Sequence, residues 1–321
     1  MVKIEDFIFH VVHNDGDEPI LMEETPIGNF EPFFIDRIRE VVEGNKFNFD
    51  PDSSFLDEIR VLDKRPHARF LEISKEFAIS FHKHDRRISP GVMIFMNVKI
   101  DRVRKYVLLK YDHESVVYYV TDEKKHTAIL KMLVNTISKH RDALQKSAII
   151  DIDSDPDNPS AIIYDKSKPS HITGFFRDFL GVTRKYSDEV LAEKVLDSFK
   201  ETVKYFRQDL PTEVRTDITG KFQTAVKNKP EFQPATFLKD TLGGMVTPEM
   251  EARFQRELRS NDVAGDSFTF NNQVWAPKRK RYITREGVQL MVPTDADDTV
   301  KFTTEGNKTI ITITTEEYKE E

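Results

Sequence analysis

The hydrophobic period changes at Pro90, and that change limits the fold more than any other feature of the chain. Before it, apolar residues recur at helical spacing: Phe34, Ile38, Val41 and Val42 within 33–43, then Phe55, Ile59 and Leu62 behind the capping pair Ser53-Ser54. A third such stripe, Phe70, Ile73, Phe77 and Phe81, follows Pro66. Residues three and four apart share one face of a helix, so three amphipathic helices are predicted. After Pro90 come short runs of Val, Ile, Met, Phe and Tyr at 91–100, 105–111, 115–121, 148–153 and 161–164, the composition of buried strands. An alternating opening, 4–13, adds a strand closed by the turn Asn14-Asp15-Gly16-Asp17. The stretch 127–145, with Ile129, Leu130, Met132, Leu133, Val134 and Ile137, fits a strand or a helix. The fold class expected is α+β. A mainly antiparallel N-terminal sheet packs on helices from 31–87, a helical region follows, and a small strand-rich end closes the chain.

A chain of 321 residues suggests two domains or more, and 24 Phe, 9 Tyr and one Trp can fill real cores. Helical signals prevail from Thr173 onward, over 188–207 and 212–227, and Gly243-Gly244 before Thr247-Pro248-Glu249 reads as a stop and a capped restart. Alternation returns in 268–274, 282–292 and 300–315, with a turn at Glu305-Gly306-Asn307. The expected division is 1–168, an α+β domain of acidic helices and basic strands; 169–260, helical; and 261–321, basic then acidic. In 188–207 the apolar stripe Val190, Leu191, Val195, Leu196, Phe199, Val203 and Phe206 is wider than one contact needs, which predicts a homodimer. No run approaches the roughly 18 apolar residues of a membrane span.

Charge is segregated. The chain carries a net −7, yet 1–81 hold 18 acidic and 9 basic side chains, whereas 82–146 hold 14 basic and 7 acidic. A second basic block, 271–285, contains no acid, and 295–321 hold eight acids against three lysines. Zero cysteines remove disulfides, thiolate metal sites and cysteine nucleophiles together, and a cytoplasmic protein is expected. Phosphate loops, dinucleotide fingerprints and Gly-x-Ser-x-Gly elbows do not occur. His82-x-His84-Asp85 offers ligand types at a spacing that splits them around a helix. The acidic run Asp151, Asp153, Asp155, Asp157 has Pro156 where a calcium loop needs Gly. Glu72 and Lys75, on a predicted helix, lack the strand setting of a nuclease. No cofactor, no metal and no catalytic residue are expected.

The peptide Thr173-Gly174-Phe175-Phe176-Arg177-Asp178-Phe179-Leu180-Gly181 resembles the Phe-Phe-x-x-Phe-Leu-Gly segment of the bacterial nucleoid-associated protein family (NdpA-type). The order of Pro90-Gly91-Val92-Met93-Ile94-Phe95, Ile149-Ile150-Asp151-Ile152 and Asn158-Pro159 agrees with it. Physically, Gly174, Phe175, Phe176, Phe179, Leu180 and Gly181 read as a short packed helix, capped by Thr173 and ended by a left-handed glycine. The resemblance implies a non-catalytic, DNA-binding protein of the bacterial nucleoid. Its ligands would be duplex and single-stranded DNA, and its partner a DNA-processing protein. Phosphate contacts must then come from clustered cations. One set is Lys278, Arg279, Lys280, Arg281 and Arg285, flanked by Trp275 and Tyr282; the other is Lys83, Arg86, Arg87, Arg102, Arg104 and Lys105. The alternatives are an accessory DNA-sensing or protein-interaction subunit of an anti-phage or plasmid-borne system, and a metal-dependent nuclease.

Overall fold

The computed structural model of the chain describes residues 1–13, 16–82, 88–112, 114–122, 127–136, 143–153, 155–211, 214–215, 217–271, 279–293, 299–306 and 308–315. Side chains are described outside 113–142, 272–281 and 293–298. The chain divides into two compact units, Met1–Ser187 with Gly265–Ser267, and Asp188–Ala264 with Phe268–Glu321.

The N-terminal unit is built on one antiparallel seven-stranded sheet. Its strands are β1 (Val2–Val12), β2 (Asn45–Phe49), β3 (Gly91–Ile100), β4 (Val103–Asp112), β7 (Leu144–Asp151), β8 (Ser160–Asp165) and β9 (Val182–Arg184). They lie in the order β1-β3-β4-β7-β8-β2-β9. Both faces are covered. Helices α2 (Ser54–Lys64), α3 (Phe70–Phe81) and α4 (Gly174–Leu180) pack Ile59, Phe77 and Phe176 with Met93, Phe95, Leu108 and Ile150 on one side. Helix α1 (Glu31–Val41) packs Phe34 and Ile38 with Ile94, Met96, Val107 and Ile149 on the other. Neighbouring residues of a strand face opposite ways, so a sheet buried on both sides has unbroken apolar runs such as Val92–Met96.

Of the ambiguous stretch, β6 (Thr127–Thr136) is a strand that pairs with β5 (Glu114–Asp122) in a separate antiparallel ladder, Leu144 and Gln145 belong to β7, and 137–142 lie outside the described residues. Two strands of the sheet, β2 and β9, have no counterpart among the predicted elements. Each is five residues or fewer, too short for a period to show, and each is held by strands remote in sequence. The first helix starts at Glu31 because Pro32 suits a helix's first turn.

In the C-terminal unit, helices α5 (Asp188–Tyr205), α6 (Ile218–Asn228), α7 (Phe237–Leu242) and α8 (Pro248–Ser260) surround a phenylalanine cluster. Phe199, Phe222, Phe237 and Phe254 meet Phe232 of β10 (Glu231–Phe232) and Phe268 of β11 (Phe268–Thr269), with ring centroids 5.2 to 6.3 Å apart. Most of the stripe that predicted self-association is covered: Leu191, Val195, Phe199 and Val203 are fully buried and Leu196 and Phe206 are half-buried, while Val190 stays exposed. Helix α6 opens at Asp217, whose carboxylate accepts from the Gly220 N–H, rather than at Thr212. Two hairpins follow, β12 (Arg279–Ile283) with β13 (Gln289–Pro293), and β14 (Val300–Glu305) with β15 (Lys308–Ile313). The alternation expected over 282–292 spans the turn of the first hairpin, in which Gly287 has φ +90°.

Candidate nucleic-acid interface

Helix α4 carries the aromatic motif, and its side chains go inward. Phe176 and Leu180 are fully buried, while Phe175 and Phe179 pack half-buried on the same core. Gly181 ends the helix at φ +61°, and a Cβ there would stand 2.8 Å from the Ser53 side chain. The position therefore needs glycine for conformation and for space. Ser53 Oγ donates to Leu180 O at 2.7 Å and accepts from the Leu56 N–H at 3.1 Å, so one hydroxyl joins the end of α4 to the start of α2.

Thr173 occupies the position before α4, but its hydroxyl does not cap the helix. It donates to Asp165 Oδ2 at 2.8 Å, and the Thr173 N–H donates to the same oxygen at 2.9 Å. Lys146 completes the cluster, 2.6 Å from Asp165 Oδ2 and 3.0 Å from Thr173 Oγ1, with its ammonium over the Phe176 ring. A fully buried carboxylate outcompetes a solvated helix end for that hydroxyl because it must be satisfied.

The cations of the strand set separate into two kinds. Arg104 Nη1 lies 3.6 Å from Asp63 Oδ1, and Lys105 is ion-paired with Asp151, all four side chains being about a quarter exposed or less. Lys110 is almost fully buried, donating to Ser89 O at 2.8 Å and pairing with Asp112; burial holds its ammonium below the usual lysine range. Arg102 differs. It is exposed in the turn between β3 and β4, with φ +74° and no ion pair among the described residues. Lys83, Arg86 and Arg87 lie outside the described residues.

On the C-terminal hairpin the backbone places Arg279, Lys280 and Arg281 opposite Pro293, Val292 and Met291. Arg285, in the turn after β12, is exposed and has no ion pair among the described residues. Lys278 and Trp275 lie outside the described residues. Tyr282 is half-buried against Phe302, ring centroids 4.6 Å apart.

Further cations, which spacing alone did not single out, lie at the end of α2. Lys64 and Arg65 are exposed, and their neighbour Asp63 accepts the Tyr106 hydroxyl at 2.9 Å. His67 Nδ1 donates to Asp6 at 2.8 Å, and Asp6 also accepts from Asn97 at 2.7 Å. These bonds fix the α2–α3 connection against β1, β3 and β4. The available signal was the Asp-Lys-Arg ending of a predicted helix, which equally fits a charge-complemented C-terminus.

The groups considered for chemistry have other partners. Glu72 pairs with Arg69 at 3.1 Å, and Lys75 with Glu23 at 2.6 Å. His82 accepts the His13 N–H at Nδ1 and donates from Nε2 to Gly16 O. His84 and Asp85 lie outside the described residues. Asp155 closes a turn on the Asn158 N–H. Among the described residues no three His, Asp or Glu side chains gather as metal ligands.

A protein-family model described as "Nucleoid-associated protein YejK" matches residues 8–318. No curated protein matches the chain.

Proposed function

Because this chain belongs to the nucleoid-associated protein family, we propose that it binds DNA at the bacterial nucleoid, without catalysing a reaction on it, chiefly through phosphate contacts. The family match carries this reading. Support comes from the acid-free basic block of 271–285, whose Arg279, Lys280 and Arg281 sit on one short strand with exposed Arg285 beyond it. On a protein of net charge −7, only such a local patch can gather phosphates. Each neutralised phosphate releases a counterion, and that release drives binding without reading sequence.

A cytoplasmic location goes with this role, and no helix among the described residues is long and apolar enough to cross a membrane. Self-association belongs to the same reading on a different surface from α5. Ile283, Val288, Met291, Phe302, Ile310 and Ile313 on the two C-terminal hairpins are 43 to 63% exposed, and pairing of two copies would cover them while doubling the cations offered to DNA. The test is fluorescence anisotropy of labelled duplex and single-stranded DNA across a salt series, with sedimentation at micromolar concentration. Strong loss of affinity with salt is expected, and salt-independent or absent binding to both forms overturns the reading.

A further inference from the structure

The end of the N-terminal sheet near the β3–β4 turn has an unequal distribution of free charge. Its carboxylates are mostly committed. Glu5, 11% exposed, faces Lys99 at 2.9 Å and Lys3 at 3.7 Å, and the hydrogen bond from Lys99 holds its carboxyl below the usual range. Asp6 accepts from His67 and Asn97, Asp63 from Tyr106 with Arg104 beside it, and Asp151 pairs with Lys105. Of the exposed acids nearby, Asp101 is bound by the chain's amino terminus, and Asp57 and Glu72 face Arg60 and Arg69. Asp153 alone among these carboxylates has no partner among the described residues. Against it stand three exposed cations, Lys64, Arg65 and Arg102, none ion-paired among the described residues.

Backbone geometry singles out Arg102 a second time. Asp101 and Arg102 both have positive φ, +51° and +74°, in a two-residue hairpin turn. Asn-Gly or Asp-Gly is favoured in such a turn because glycine takes that conformation without steric cost. An arginine kept there is strained, and residues held in strained conformations concentrate at functional sites. The α2 terminus is fixed beside it, since Asp63 touches both Tyr106 and Arg104 of β4, Arg104 follows Arg102 by two residues, and Lys64 and Arg65 follow Asp63 directly.

We propose that Lys64, Arg65 and Arg102 form a phosphate-contacting surface for duplex DNA on the N-terminal unit, in addition to the basic block of the C-terminal unit. This rests on the DNA-binding reading. The paired Arg104 and Lys105 position the surface rather than contribute to it: their charges are spent on Asp63 and Asp151.

The experiment is a salt titration of anisotropy with a fluorescein-labelled duplex of about 30 base pairs. It compares the full-length protein, the triple variant Lys64→Gln/Arg65→Gln/Arg102→Asn, and Arg102→Gly alone. Each phosphate contact contributes about 0.9 to the slope of log affinity on log salt. The triple variant should therefore lower the slope by about 2.7, and Arg102→Gly by about 0.9. Arg102→Gly also relieves the turn, so its melting temperature should be unchanged or raised while its binding weakens, a combination that a purely structural role does not produce. If the triple variant fails to fold, judged by circular dichroism, the Arg102→Gly arm decides. Wild-type binding with the usual salt dependence, combined with unchanged slope and affinity in the folded variants, overturns this surface and leaves the DNA reading intact. Absence of salt-dependent duplex binding by the wild type overturns both.

Discussion

The hydroxyl of Tyr106, a side chain 1% exposed in the middle of β4, donates to Asp63 Oδ1 at 2.9 Å. Burial, reinforced by the charge of Asp63, drives the phenol's pKa far above its ordinary value, so Tyr106 is a permanent donor at any working pH. Through this bond the last turn of α2 is fixed to the sheet. Replacing Tyr106 with Phe should cost about 0.5–1.5 kcal/mol, and Asp63→Ala about 1–3 kcal/mol, because the second leaves a buried hydroxyl without its acceptor. Urea unfolding of the two variants checks the order; equal or reversed losses would contradict it.

The Lys146–Asp165–Thr173 cluster gives a larger effect. Asp165→Ala strands a buried ammonium and removes the acceptor of two Thr173 donors, for an expected loss of about 3–5 kcal/mol. Lys146→Met, which retains bulk over Phe176, should cost less than Lys146→Ala. A calorimetric melt of each variant measures this.

His10 sets an acid limit on stability. Its Nδ1 accepts the Met22 N–H at 3.0 Å, so Nε2 carries the proton and donates to Ser74 Oγ, which donates onward to Leu71 O. Burial lowers its pKa to about 4 from an ordinary 6.5. The folded state thus favours neutral imidazole: the contribution is complete above pH 6.5 and is lost progressively as pH falls toward 4. The full effect is about 3 kcal/mol. Denaturant midpoints measured from pH 7.5 to 4 should fall in the wild type and fall less in His10→Gln; parallel curves would remove His10 as the cause.

At Gly181, alanine meets the left-handed backbone and the Ser53 side chain together. Gly181→Ala should destabilise by at least about 1–2 kcal/mol, and pairing it with Ser53→Gly should recover part of that loss. Additive losses in this double-mutant cycle would mean that the contact with Ser53 is not the source.

For the C-terminal block, Lys280→Ala/Arg281→Ala should reduce the salt slope of duplex binding by about 1.8, two contacts at about 0.9 each. Affinity should drop for every sequence tested, since phosphate contacts do not discriminate bases. A loss confined to one sequence would indicate base readout instead.

The stripes at Phe34, Ile38 and Val41 and at Phe70, Ile73 and Phe77 needed no partner to be recognised, because helical spacing repeats within a dozen residues. The same holds for the strands after Pro90, for the left-handed end at Gly181, and for the inward packing of Phe176 and Leu180. The family itself was legible in that one peptide. Strands β2 and β9 were not, since they exist only through pairing with each other and with β8.

Charge pairing and burial account for the other differences. In the sequence Arg102, Arg104 and Lys105 are three equivalent cations within four residues. Folding brings Asp63 to Arg104 and Asp151 to Lys105, partners 41 and 46 residues away, and leaves Arg102 exposed. Likewise the α5 stripe is wide enough in sequence to meet a second copy, yet Phe222 and Phe237 close on its Phe199 and leave only Val190 exposed. Sequence determined the period, caps and turns of the elements, because those forces act between residues a few positions apart. Tertiary structure decided which cations stay free and which apolar faces stay open, because attraction and burial depend on distances in space that local spacing does not encode.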